Sequence, residues 1–109
     1  MAKLGESGVV TIRDGFTAKL STYQGGSDLV HAYSLGVNLG VAEGQATVGE
    51  PGRLTVVSAL NAANADAQAL GLDVKSLLEC IQLVGGNAPM PTVYEKIQSI
   101  RSTFQAQLN

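Results

Sequence analysis

Leu29-Val30-His31-Ala32-Tyr33-Ser34-Leu35-Gly36-Val37-Asn38-Leu39-Gly40-Val41-Ala42 is the stretch on which the fold turns. Its odd positions are bulky and its even positions mostly small, an alternation that predicts a strand of about 13 residues with one large face and one flat face. Glycines inside a strand mark bends, which places a bend at Gly36 or Gly40. The same residues fit a helix capped by Ser27 or Asp28, with Gly36, Gly40 and Gly44 forming a close-packing groove. Each of those glycines would cost a soluble helix about 1 kcal/mol, so the strand is the preferred reading.

Toward the N-terminus, residues 9–23 hold two period-2 segments joined by Asp14-Gly15, a pair suited to a type I′ hairpin turn. Val10, Ile12, Phe16, Ala18 and Leu20 would form its buried face. Toward the C-terminus, residues 45–48 and 53–57 read as a second hairpin about Gly49-Glu50-Pro51-Gly52, where Pro then Gly suits a type II turn.

Three helices then follow. Ser58 is a favoured N-cap for residues 59–70, with a thin stripe of Leu60, Ala63, Ala67 and Leu70 ending at Gly71. Asp73 caps residues 74–84, whose stripe is Val74, Leu77, Leu78, Ile81 and Val84. Thr92 and Glu95 have capping-box spacing for residues 93–107, with Val93, Ile97, Ile100, Phe104 and Leu108 as the apolar positions. The expected fold class is α+β, with antiparallel strands and hairpins over about 8–57 and three C-terminal helices, all in a single domain of residues 1–109. This order of elements resembles that of the coat proteins of small bacterial viruses, which implies a shell component.

Composition narrows the function classes. Apolar residues make up 45% of the chain and charged residues 15%, well below the roughly 25% charge of an average soluble protein. So neutral a surface implies that part of it is covered by copies of the same chain. A net charge of −2 with seven scattered Lys and Arg residues argues against a nucleic-acid groove, which needs clustered cations. No run approaches the roughly 20 apolar residues that span a bilayer, and the N-terminus lacks a signal-peptide pattern. A single cysteine, Cys80, offers neither a disulfide nor metal-ligand spacing, which suits a cytoplasmic or virion interior.

His31 and Cys80 are the side chains that titrate nearest neutral pH, and neither lies in a catalytic motif. His31 beside Tyr33 on the bulky strand face is the candidate ligand site, with a hydrogen-bonding core histidine as the plainer reading. Asn61, Asn64, Asp66 and Gln68 form a polar face on the first helix, read as solvated. Neither a phosphate loop nor a dinucleotide fingerprint occurs, so no cofactor, metal or catalytic residue is expected. The resulting expectation is a non-enzymatic structural or assembly protein forming a homo-oligomer, with Tyr33, Val37, Val41, Ile97, Ile100 and Phe104 as interface candidates. The alternatives are a regulatory protein-binding module, or a small ligand-binding or enzymatic domain with a site near His31 at a subunit boundary.

Overall fold

The computed structural model describes residues 26–108, with side chains over 30–107, and the backbone of three short strands near the N-terminus. These are β1 (Lys3–Leu4), β2 (Val9–Thr11) and β3 (Thr17–Lys19), paired antiparallel in that order. The hairpin turn expected at Asp14-Gly15 and the faces assigned to residues 9–23 lie outside the described residues. From Gly26 onward the described chain holds four helices: α1 (Gly26–Val48), α2 (Arg53–Ala69), α3 (Lys75–Gly85) and α4 (Met90–Leu108).

This overturns the α+β fold class: residues 26–57, expected as strands and hairpins, are helical, and the core of the described residues is built from four helices. The long strand is a helix of 23 residues, and the second hairpin is the end of α1, a single 3-10 turn (Glu50–Gly52) and the start of α2. The physical reason lies in a subset of the alternating pattern. Ala32, Leu35, Leu39, Ala42 and Ala46 are all buried, at intervals of three, four, three and four, which is one face of a helix. Burial of that face against neighbouring helices outweighs the local penalty of Gly36 and Gly40.

The turn between α1 and α2 is tight. Gly52 donates its N–H to Gly49 O at 2.9 Å, and a Cβ on Gly52 would run into the carbonyl oxygen of Gln45. Gly49 takes a φ of 97°, in the left-handed region that favours glycine. Proline at the second position of the turn lacks the N–H that a helix start leaves unpaired, so Pro51 here initiates helix rather than a hairpin. Ser58, expected as the N-cap of α2, is consequently an exposed residue within it.

The expected stop at Gly71 is where α2 ends. Leu72 donates to Ala67 O at 2.9 Å and Gly71 to Gln68 O at 3.0 Å, with Gly71 at a φ of 75°. These two bonds make a Schellman closure. The backbone N–H of Lys75 reaches the Asp73 carboxylate at 3.0 Å at the start of α3. The α4 start corrects the expected capping box: Thr92 and Val93 both donate to Pro89 O, at 3.0 and 3.1 Å, so Thr92 lies inside the first turn instead of capping it.

Each helix packs against the next, and α4 returns to α1, closing a ring of four. Bonds from His31 to Asp66 and from Arg53 to Val84 each join the early part of one helix to the late part of the next, which makes α1 and α2, and α2 and α3, antiparallel. One core runs through the ring, with Leu35 and Leu39 from α1, Val56 and Leu60 from α2, Leu77 and Val84 from α3, and Ile97, Ile100 and Phe104 from α4. Alanines dominate the α1 and α2 contact, at Ala32, Ala42, Ala46, Ala59, Ala63 and Ala67, and small side chains let two helix axes approach closely.

Candidate functional site

The polar side chains that sequence reasoning scattered over two elements converge between α1 and α2. Asp66 is the buried charged residue among the described residues, 9% exposed. His31 Nδ1 stands 3.2 Å from its Oδ1, and Asn38 Nδ2 donates to its Oδ2 at 3.2 Å. Asn38 Nδ2 also lies 3.3 Å from Ser34 Oγ. A carboxylate only accepts, so the first contact favours the tautomer with its proton on Nδ1. His31 and Asn38 are seven residues apart, two helical turns, and therefore reach the same neighbour from one face of α1.

Asp66 belonged to a face expected to be solvated, together with Asn61, Asn64 and Gln68. Asn61 and Gln68 are exposed and Asn64 half-buried, whereas Asp66 lies between Ala63 and Ala67 in the buried stripe. Its position three residues after Ala63 was the signal available in the sequence. With both oxygens engaged by α1, this carboxylate fixes the rotation and register of α1 on α2, since any slide of one helix would strand a buried charge.

Two further polar contacts hold the far end of the ring. Arg53 donates from Nη1 to Val84 O at 2.8 Å and from Nη2 to Ala88 O at 2.7 Å, binding the start of α2 to the α3–α4 connection. Glu50 accepts from the same guanidinium, which holds its carboxyl below the usual range. Cys80 is a core residue of α3, and desolvation pushes its thiol up from 9.0 to about 11, only partly opposed by Lys96. At neutral pH it is a small hydrophobe without a nucleophilic thiolate. Among the described residues, no group of three or more His, Cys, Asp or Glu is placed to hold a metal ion.

His31 and Tyr33, neighbours on one face in the strand reading, are about 200° apart around a helix at 3.6 residues per turn, so α1 separates them. Of the interface candidates, Ile97, Ile100 and Phe104 are buried in the chain's own core, at 0%, 1% and 1% exposure. Tyr33, Val37 and Val41 come together on the face of α1 turned away from the core. No family model, curated protein or solved structure matches the chain.

That outward face of α1 is the surface feature with the clearest chemical character. Val30 is 66% exposed, Val41 41% and Val48 58%, with Tyr33 and Val37 half-buried between them. From Val30 to Val48 the helix has no Lys or Arg, and its one carboxylate, Glu43, is engaged by Arg101 of α4 at 3.2 Å. A solvated helix face normally carries charge, and this one carries valine. A second surface feature is a groove beside α3 and α4 lined by Glu79, Gln82, Leu83, Gly86, Ala88 and Lys96, which includes the Lys96–Glu79 pair at 3.4 Å. None of the described helices is long and apolar enough to cross a membrane.

Proposed function

We propose that this chain is a non-enzymatic assembly protein that works by self-association, forming a homo-oligomer in the cytoplasm or in a cytosolic assembly. The observation that carries the reading is the uncharged, valine-bearing outward face of α1. Exposed apolar surface of this kind is removed from water when two copies meet, at roughly 25 cal/mol per Å² buried. The overall charge of −2 is small, so copies meet little long-range repulsion.

The His31 and Asp66 pair supports a structural role for the polar cluster. Both carboxylate oxygens are occupied by groups of the chain itself, and the Cys80 thiol, the one potential sulfur nucleophile, is buried on another helix and held protonated. Support for a shell component from the likeness to viral coat proteins falls away, because strand order carried that likeness and residues 26–57 are helical. A buried, unpaired Cys80 accords with a reducing compartment.

The test is the absolute mass in solution, by light scattering coupled to size exclusion, across a hundredfold dilution. The expected result is an oligomer that dissociates on dilution, and a Val41→Lys variant that is monomeric at every concentration with unchanged helicity. A wild-type chain that stays at 11.2 kDa throughout removes the reading.

A further inference from the structure

Val30, Ser34, Val37, Val41, Gly44 and Val48 follow one another along α1 at intervals of four, three, four, three and four, with Val37 half-buried and Ser34, also half-buried, at the edge of the outward face nearest the Asn38 amide. This is the spacing by which a helix keeps one seam against another helix. It lies opposite the buried seam of Ala32, Leu35, Leu39, Ala42 and Ala46, so α1 is built to contact helices on both sides. The intervals read the same in both directions. So do the sizes: valine, small, valine, valine, small, valine.

We infer that the occupant of this face is α1 of a second copy, packed antiparallel about a two-fold axis level with residue 39. Val30 then meets the second copy's Val48, Ser34 its Gly44, and Val37 its Val41. The inference rests on the self-association reading above and specifies its geometry. A two-fold axis perpendicular to a helix requires a surface that matches itself when reversed, and this palindromic seam meets that requirement. Antiparallel packing also sets a serine over each glycine, and nothing lies within 4 Å of a Cβ placed on Gly44, so the space is open for it. Parallel packing would leave glycine facing glycine as a gap at one level and would align the two helix dipoles unfavourably. The residues flanking the seam, Tyr33, Gly40, Thr47 and Gln45, carry no charge that would hold two copies apart.

From Val30 to Val48 the seam is about 27 Å long at 1.5 Å per residue. A single helix pair of that length is at the small end of protein interfaces, so the pairing is reversible and concentration-dependent.

The experiment combines Val30→Cys and Val48→Cys variants, mixed in equal amounts under mild oxidation, with the products identified by mass and the wild type as a blank for the buried Cys80. The expected product is the mixed disulfide that joins position 30 of one copy to position 48 of the other, at least tenfold over either homodisulfide, because an antiparallel seam keeps residue 30 of the two copies roughly 27 Å apart. Light scattering on the wild type separates the possible failures. An oligomer whose variants give homodisulfides, or none, overturns the antiparallel seam while leaving self-association standing. A monomer at all concentrations overturns both.

Discussion

Asn38 on α1 donates from Nδ2 to Oδ2 of Asp66 on α2 across 3.2 Å, while the other oxygen of the same carboxylate faces His31. A carboxylate this deeply placed is held by these contacts, and removing it leaves the Asn38 amide with Ser34 alone and His31 without its acceptor. Asp66→Ala is therefore expected to cost about 2 to 3 kcal/mol in urea unfolding, in line with hydrogen bonds to charged groups. Asp66→Asn, which keeps one accepting oxygen, should lose less than half of that. An alanine variant as stable as the wild type would show that the cluster does not register the two helices.

The residues that make this contact explain how far the sequence could be read. The three C-terminal helices were legible because each carries a stripe at helical spacing and stop signals that act locally, such as Gly71 with its positive φ. Residues 29–42 were not, because small residues occupy alternate positions and imitate a half-buried strand. What separates the two readings is the set Ala32, Leu35, Leu39, Ala42 and Ala46, and alanine contributes little to a hydrophobic pattern until a second helix lies against it. In a strand, His31 and Asn38 lie on opposite faces, and neither points to a shared acceptor such as Asp66. The pairing is visible only after both elements are helices. Arg53 was hidden for a related reason, since its acceptors are main-chain carbonyls 31 and 35 residues away, at Val84 and Ala88, and leave no trace in side-chain pattern.

Arg53 supplies the donors for the carbonyls of Val84, the last core residue of α3, and of Ala88, beside Asn87 at a φ of 66°. Arg53→Met keeps the aliphatic stem and removes all of these donors. The expected effect is local: faster amide hydrogen exchange over residues 83–89 with the α1 and α2 amides little changed. Glu50→Gln should leave that region protected, because the carbonyl contacts are Arg53's own. Since Arg53 depresses the Glu50 carboxyl, the favourable contribution of this exposed pair is present above the ordinary carboxylate value of 4.5, is lost as pH falls through the lowered one, and weakens with salt. Uniform loosening of all four helices in Arg53→Met would contradict a local clamp.

Cys80 gives a pH-dependent prediction of the opposite sign. Its thiol is neutral in the folded chain up to about 11, against 9.0 when solvated, so folding favours the protonated form. That contribution is complete below 9, and stability is lost as pH rises from 9 toward 11. At pH 8 the folded protein should react with a thiol reagent at least a hundredfold more slowly than the denatured chain, because both access and thiolate are withheld. Cys80→Ala should flatten the alkaline loss of stability between those two values. Rapid labelling of the native protein would place the thiol outside the core.

Phe104 on α4 and Val41 on α1 separate folding from association, because both are apolar but only one is covered by its own chain, at 1% exposure against 41%. An aspartate at Phe104 would set a charge within the core that holds Ile97, Ile100 and Leu77, where no partner is available to it, and such burial exceeds the few kcal/mol by which a domain of this size is stable. Phe104→Asp and Ile100→Asp are therefore expected to lose helical circular dichroism at 25 °C, whereas the milder Leu39→Ala should fold with a loss of about 3 to 4 kcal/mol. Val41→Asp should keep its helicity and its unfolding midpoint as a monomer, and change only the mass in solution. If Phe104→Asp were folded and merely monomeric, α4 would have its apolar stripe turned toward a partner, and the closed four-helix ring would be the wrong description of the core.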